Sequence, residues 1–304
     1  MIVSTSPYRL LAIDLDGTLL DSHHRISPEN LQAIERARAT GMQISICTGR
    51  GWIECREYAR QINHTAPAVV AGGAIVTCSN TQRTLHRFTI DQPLVHELAR
   101  CMLDHGHAVL ILKDPDSTGR TPADRGHDYV VVSPRGEAGI VPISRWWFKN
   151  LNVNIRIVPE LELDEHPEHT VRVGICGPRA ETQTAAAELR ERFGSRVQFH
   201  YFAAVAPGTA PNPGSECLIF EAFGREVNKW NAIRWVAQRQ GIDPAHVVAI
   251  GNDINDVAML QHAGLSIAMG NAIPEARAAA KRLTLGNDEH GVAHAIDQIL
   301  AGAW

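Results

Sequence analysis

The sequence predicts an α/β protein: a doubly wound parallel-sheet (Rossmann-like) core that carries an inserted α+β domain. Near both ends of the chain, short apolar segments that stop at polar residues alternate with helical segments, which is the βαβ order of a parallel sheet. Between residues 85 and 206 this order gives way to helical stretches mixed with short strand-like runs. We therefore expect core residues 1–84, an inserted α+β domain at 85–206 and core residues 207–304.

Composition sets limits on the function. The 304 residues suit about two domains, and 44% hydrophobic with 20% charged residues is ordinary for a soluble globular protein. A net charge of −4 argues against a basic nucleic-acid surface. Six scattered cysteines without a Cys-x-x-Cys pair predict free thiols, and the histidines show no metal-ligand spacing. With no signal peptide or long apolar run, we expect a cytoplasmic monomer or homodimer with no membrane partner.

The first core segment begins with the apolar strand Leu10–Ile13. The capping hydroxyl of Ser27, followed by proline and an acid, predicts a helix start, and Gly41 predicts its end. The next elements are a strand at 43–46 that leads into Thr48-Gly49-Arg50, a helix over 51–62 and a strand at 68–70.

The inserted segment is predicted to hold helices at 93–105 and 179–193, strands at 109–112, 129–132, 171–176 and 197–202, and loops at 114–126 and 159–169. Its aromatic patch, Arg145–Lys149, is expected to be core under a loop, rather than a ligand or partner surface. The second core segment has a strand at 217–220, a helix over 228–241, strands at 246–250 and 265–268, and a last helix near 292–300.

Four groups capable of chemistry fall at or beside the carboxyl ends of predicted core strands. Asp14 and Asp16 follow the first strand two residues apart, so both can aim at one place. Thr48, Lys229 and the oxygen-rich loop 251–256 complete the set. Together they suit phosphoryl transfer: a carboxylate nucleophile, a second acid, a hydroxyl and an ammonium for the phosphoryl oxygens, and oxygen ligands for Mg²⁺.

These segments resemble the motifs of the haloacid dehalogenase (HAD) superfamily of phosphohydrolases, specifically its Cof-like subgroup with a large α/β cap. The resemblance covers about residues 8–80 and 215–300, and the insertion lies where that subgroup carries its cap. The matching segments are Asp14-Leu15-Asp16-Gly17-Thr18-Leu19-Leu20, Thr48-Gly49-Arg50, Lys229, Gly251–Asp256, and the subgroup-like endings Ala268–Ala272 and His290-Gly291-Val292.

The resemblance implies a Mg²⁺-dependent phosphatase acting on a small phosphorylated metabolite, with a sugar phosphate as first guess and a nucleotide or cofactor phosphate next. Asp14 would be the nucleophile, form a phosphoaspartyl intermediate and bind the metal. Asp16 would be the general acid and base and bind the metal through its carbonyl. The implied phosphate-binding residues are Thr48, Gly49, Lys229 and Asn255. The cap would close over the substrate and select it.

One departure from the family pattern concerns the metal. Asn252 stands where the family usually has an aspartate, so the site loses one negative charge and some affinity. We expect Asn252 or Asp253 to supply the third protein ligand, and Asp256 to orient Lys229 or a bound water. The same asparagine favours an alternative, a catalytically weak or inactive HAD-like protein that binds a phosphorylated ligand. A phosphomutase of the same family is a further alternative.

Overall fold

The computed structural model describes residues 6–114, 126–204 and 217–304. These residues form two compact units. The first consists of the chain up to His86 together with Asn228–Trp304, and the second is Arg87–Val227. The expected boundary at 206/207 lies outside the described residues. The strand at Cys217–Gly224, which we expected to open the second core segment, instead pairs with two strands of the second unit, and this pairing moves the division to residues 227 and 228.

The first unit is built on a five-stranded parallel sheet in the order β14-β13-β12-β1-β2. Strand β1 lies between β12 and β2, and all four of its apolar side chains are fully buried. The strands are β1 (Leu10–Ile13), β2 (Gln43–Ile46), β12 (Val247–Gly251), β13 (Leu265–Ala268) and β14 (Arg282–Leu283). Burial on both faces explains why the sequence of β1 is a continuous apolar run rather than an alternating one.

A second, three-stranded sheet of β3 (Pro67–Val70), β4 (Ile75–Cys78) and β5 (Thr84–Arg87) adjoins the parallel sheet through one parallel bridge, Cys47 to Val69. The helices of the first unit are α1 (Pro28–Ala39), α2 (Trp52–Gln61), α6 (Lys229–Arg239), α7 (Val257–His262), α8 (Pro274–Ala279) and α9 (Gly291–Leu300). As predicted, Ser27 and Asn228 cap α1 and α6 by accepting backbone N–H groups with their side chains.

The second unit has a six-stranded, mostly antiparallel sheet in the order β10-β11-β9-β6-β7-β8. Helices α3 and α5 supply apolar residues to the buried core on one face of this sheet. The strands are β6 (Val109–Lys113), β7 (Tyr129–Val132), β8 (Ile155–Val158), β9 (Thr170–Pro178), β10 (Val197–Ala204) and β11 (Cys217–Gly224), and the helices are α3 (Gln92–Asp104), α4 (Pro142–Asn150) and α5 (Arg179–Phe193).

The aromatic patch forms helix α4. Phe148 is buried, Trp147 meets the ring of Tyr129 edge-on at 5.6 Å, and Trp146 is 40% exposed. Only Phe148, with part of Trp147, belongs to the core, whereas Arg145, Trp146 and Lys149 are exposed, so the expectation of a core cluster under a loop holds for one face of the helix alone. Of the two segments expected to be loops, 159–169 contains only short turns, whereas nearly all of 114–126 lies outside the described residues.

The α/β fold with an inserted domain is confirmed. All six cysteines are free thiols. Among the described residues, no helix has both the length and the apolar character that crossing a membrane requires.

Candidate active site

Asp14 follows the last residue of β1 and is only 4% exposed. The ammonium group of Lys229 donates hydrogen bonds of 2.6 Å to Oδ1 of Asp14 and to Oδ1 of Asp256. Burial and the neighbouring Asp256 carboxylate raise the pKa of Asp14, and Lys229 only partly opposes them. The two carboxylates raise the pKa of Lys229 despite its burial. One buried ammonium thus faces two carboxylates, an excess of negative charge that suits a site for a cation.

Lys229 owes its position to the start of α6 and to a close backbone approach. It is the first residue of that helix, and its side chain is fully buried. The loop after β3 passes so close to Asn228 that a Cβ on Gly73 would lie 2.3 Å from the Asn228 carbonyl oxygen. Gly73 also has a φ of +101°, a conformation that other residues rarely adopt. Glycine is therefore required where this loop packs against the backbone at the start of α6, next to Lys229.

Asp256 holds the loop 251–256 as well as Lys229. While Oδ1 accepts from Lys229, Oδ2 accepts the backbone N–H groups of Asn252, at 2.8 Å, and Asp253, at 3.1 Å. A Cβ on Gly251 would lie 2.4 Å from the carboxyl carbon of Asp256, so this residue must be glycine for the carboxylate to fit. The structure thus places Asp256 behind the site, where it fixes the lysine and the loop together.

The side chain of Asn252 reaches the segment Asp14–Leu20, at Asp14, Asp16 and Thr18. One end of the side-chain amide, which we call its inner end, faces Asp14, Asp16 and Thr18. The amide atom at this end lies 2.9 Å from the carbonyl oxygen of Asp16, 3.2 Å from Oδ2 of Asp14 and 2.9 Å from the hydroxyl of Thr18. Neighbouring oxygen ligands of an octahedral Mg²⁺ at 2.0–2.1 Å lie about 3 Å apart. The distances from Asn252 to Asp14 and to the Asp16 carbonyl fit such an ion.

Asp253 is placed differently. Its side chain is exposed, and Oδ1 accepts the N–H of Ile254 at 2.6 Å. Of the two candidates for the third protein ligand, Asn252 lies beside Asp14 and Asp16. The Asp253 carboxylate instead accepts a hydrogen bond from the next residue of its own loop.

The carboxylate of Asp16 is half-exposed and held by Arg50. Nε of the guanidinium donates to Oδ2 at 2.8 Å, and Nη2 donates to Oδ1 at 2.5 Å. Although burial opposes the shift, these hydrogen bonds and the guanidinium charge lower the pKa of Asp16. The arrangement leaves the backbone carbonyl of Asp16 directed at Asn252 and its carboxylate directed away, toward Arg50.

The remaining predicted residues surround the turn after β2. Thr48 is fully buried, and its hydroxyl accepts the N–H of Arg50 at 3.2 Å, so its own proton is left to donate. A Cβ on Gly49 would lie 3.5 Å from the amide nitrogen of Asn255. Within the described part of the chain, the side-chain oxygen of Asn255 is buried without a hydrogen-bond partner. These three residues lie together, and Asn255 has unused hydrogen-bonding capacity.

Some residues of the site were not singled out from the sequence. Arg50 and Thr18 stand inside the motifs, but their roles depend on partners 34 and 234 residues away. Asn271, in the segment after β13, donates to the carbonyl of Gly17 at 2.9 Å and so holds the turn that follows β1. In the sequence, only the match of these segments to the family motifs could have indicated Arg50 and Thr18.

Comparison with known proteins agrees with the motifs. The sequence profile of the haloacid dehalogenase-like hydrolases matches residues 11–296. YxeH of Bacillus subtilis is 30% identical over 96% of this chain and 98% of its own. The 5-amino-6-(5-phospho-D-ribitylamino)uracil phosphatase YwtE of the same organism is 26% identical, over 97% of this chain and 99% of its own.

Among solved structures, the HAD subclass IIB sugar phosphatase BT4131 superposes with a TM-score of 0.71 at 21% identity, covering 95% of this chain and 98% of that one. This likeness concerns the fold. Because the family profile spans most of the sequence and a relative matches nearly its whole length, the chain belongs to the haloacid dehalogenase-like hydrolase family.

Proposed function

We propose that the protein is a Mg²⁺-dependent phosphatase that hydrolyses a small phosphorylated metabolite through a phosphoaspartyl intermediate on Asp14. One observation carries this proposal. The two carboxylate oxygens of Asp14 have different surroundings: Oδ1 is held by Lys229 at 2.6 Å, and Oδ2 lies 3.2 Å from the Asn252 amide. One oxygen can thus serve as nucleophile while the other binds the cation.

In the first step, Oδ1 of Asp14 attacks the phosphorus atom and forms the acyl-phosphate bond, while the bond from phosphorus to the leaving oxygen breaks. Asp16 donates its proton to that oxygen. The ammonium of Lys229 stands beside Oδ1, where it balances the charge of the incoming phosphoryl group. Thr48 and Gly49 lie on the turn after β2, Asn255 lies beside it in the loop after β12, and we assign the phosphoryl oxygens to these three residues.

In the second step, the Asp16 carboxylate takes a proton from water, the water oxygen bonds to phosphorus and the Oδ1–phosphorus bond breaks. Inorganic phosphate leaves, and Asp14 is restored. Because Arg50 holds the Asp16 carboxylate in the structure, this pair must separate for Asp16 to carry the proton. A phosphoryl group is a suitable new partner for the guanidinium.

Asp14, the carbonyl of Asp16 and Asn252 would hold the metal. Bound there, Mg²⁺ would offset the negative charge of the phosphoryl group and orient it toward Asp14. The ligand set includes only one carboxylate, because Asn252 is neutral and Asp16 offers its carbonyl. We therefore expect a weaker metal site than one with two carboxylates.

For the substrate we propose a sugar phosphate first, and a nucleotide or cofactor phosphate next. The relative YwtE is named for a substrate whose phosphate is carried on a ribityl group, an open-chain sugar alcohol. We assign substrate selection to the second unit, Arg87–Val227, because the catalytic residues all belong to the first.

Hydrolysis of p-nitrophenyl phosphate with and without Mg²⁺ tests the activity. We expect metal-dependent turnover by the wild type, none above background by Asp14→Asn, and wild-type turnover by Asp297→Asn. Asp297 is an exposed partner of Arg36 in the same unit and serves as matched control. A panel of sugar and nucleotide phosphates would then define the substrate class. Asp14→Asn turning over like the wild type would contradict the proposal, and a folded wild type inactive on the whole panel would favour a phosphate-binding protein without catalysis.

A further inference from the structure

We propose that Asn252 is a two-way ligand: its amide N–H₂ takes the place of the cation in the metal-free protein, and its amide oxygen binds the cation when a metal is present. The juxtaposition that suggests this is one amide end packed against Asp14, Asp16 and Thr18. The inference rests on the metal site of the proposed function. It adds a role for the residue that departs from the family pattern.

The contacts at the inner end of the amide differ in kind. The Asp16 carbonyl, at 2.9 Å, can only accept a hydrogen bond, and Oδ2 of Asp14, at 3.2 Å, does the same while Lys229 holds Asp14 as a carboxylate. With the amide nitrogen at this end, its two protons are shared among three acceptors within reach, the Asp16 carbonyl, Oδ2 of Asp14 and the Thr18 hydroxyl. With the amide oxygen there, three oxygens face one another, and a cation is needed to stabilise them. The metal-free and metal-bound states therefore favour opposite orientations of the same side chain.

Thr18 makes both orientations possible. Its hydroxyl, 2.9 Å from the same amide atom, is fully buried. A hydroxyl can donate to the amide oxygen or accept from the amide nitrogen, so it has a partner in either state. The two arrangements are exchanged when the Asn252 amide rotates by 180° and the Thr18 hydroxyl proton reorients. The backbone does not move.

An aspartate in this position could not do the same. It has no N–H group, so in the metal-free protein it would add a carboxylate beside Asp14, where Lys229 is already shared with Asp256. Like charges packed this closely repel one another. Asn252 therefore weakens the binding of Mg²⁺ but keeps the metal-free site satisfied, so the folded first unit does not depend on the ion.

Thermal unfolding in EDTA and calorimetric titration with Mg²⁺ test this for the wild type, Asn252→Asp and Asn80→Asp. The last changes an exposed asparagine in the turn between β4 and β5 and is the charge-matched control. In EDTA, we expect Asn252→Asp to unfold roughly 4 °C or more below the wild type. Its Mg²⁺ dissociation constant should be lower by at least about tenfold, a gain of about 1.4 kcal/mol. Asn80→Asp should match the wild type in both. Equal stability in EDTA, or an unchanged or weaker Mg²⁺ affinity, would overturn the inference.

Side-chain amide resonances give a second readout on the wild type itself, which covers the case that Asn252→Asp fails to fold without metal. We expect Mg²⁺ to shift the Asn252 N–H₂ pair strongly and leave that of Asn80 in place. An Asn252 pair that Mg²⁺ does not move would contradict the two-way role. Neither readout involves turnover: an active wild type without these effects refutes only the inference, whereas absent Mg²⁺-dependent turnover refutes the proposed function whatever the amide does.

Discussion

The ammonium group of Lys229 lies 2.6 Å from Oδ1 of Asp256, and neither side chain has any exposed surface. Asp256 also accepts two backbone N–H groups of its own loop, so the pair ties helix α6 to the loop after β12. Because Lys229 contacts Asp14 as well, the same pair fixes the ammonium beside the nucleophile.

The first prediction concerns this buried pair. Asp256→Ala removes a carboxylate that the lysine and two amides share, and we expect it to lower the free energy of unfolding by about 3–5 kcal/mol. Lys229→Met should lower it by a similar amount. The double variant should lose at least about 1 kcal/mol less than the sum, because the cost of a buried ammonium that has lost one of its two carboxylate partners is absent from it. Urea unfolding of the three variants measures this coupling, and strict additivity would contradict it.

The second prediction concerns the glycine that braces Lys229. Gly73→Ala places a Cβ 2.3 Å from the Asn228 carbonyl oxygen, so the loop or the start of α6 must shift. Gly41→Ala is the matched control, because Gly41 also has a positive φ but has no atom within 4 Å of the added Cβ. We expect about 1 kcal/mol of destabilisation for the control and clearly more for Gly73→Ala. Only Gly73→Ala should also lower kcat. Equal effects of the two variants on stability and turnover would show that the close approach is unimportant.

The third prediction concerns pH. Burial lowers the pKa of His64 to about 4, and its ring accepts the N–H of Ile46 at 2.9 Å. The unfolded chain has an ordinary histidine pKa near 6.5, so below that pH it binds a proton that the folded protein does not. Stability from this group is complete above pH 6.5 and falls as the pH drops toward 4, by up to about 3 kcal/mol.

Urea unfolding between pH 7 and 4, in EDTA, compares the wild type with His64→Gln and with His23→Gln, a change of an exposed histidine. We expect His64→Gln to be less stable at neutral pH but to lose less stability on acidification. His23→Gln should follow the wild-type profile. A His64→Gln profile parallel to that of the wild type would show that His64 is not the group responsible.

Much of the first unit could be predicted from local sequence. Continuous apolar runs indicated the buried parallel strands, and capping residues such as Ser27 and Asn228 indicated the helix starts. The motif spelling placed Asp14, Lys229 and Asp256 in one site, and the structure brings them within hydrogen-bond distance. The rule that carboxyl ends of parallel strands meet at one edge accounts for Asp14 and Asp256. It does not account for Lys229, which opens α6 after a strand of the second unit.

What the sequence did not indicate depends on partners distant in the chain. The strand at Cys217–Gly224 has no local feature that assigns it to one sheet or another, and its pairing with β9 and β10 decides the matter. Likewise, the choice between Asn252 and Asp253 depends on which side chain reaches Asp14, which composition and spacing do not determine. The two hydrogen bonds from Arg50 to the Asp16 carboxylate also join residues that are distant in the sequence, so local sequence does not indicate them.

The most direct test of the central claim is to trap the phosphoryl group on Asp14. In Asp16→Asn, the p-nitrophenolate of p-nitrophenyl phosphate can leave without a proton, whereas water has no base to activate it, so the intermediate should accumulate. Acid quenching in the presence of Mg²⁺, followed by peptic digestion and mass spectrometry, should find one phosphoryl group on the peptide that contains Asp14. It should be absent from the Asp14→Asn, Asp16→Asn double variant. A phosphoryl group on another residue, or an unmodified Asp14 in an enzyme that still turns over, would contradict the account.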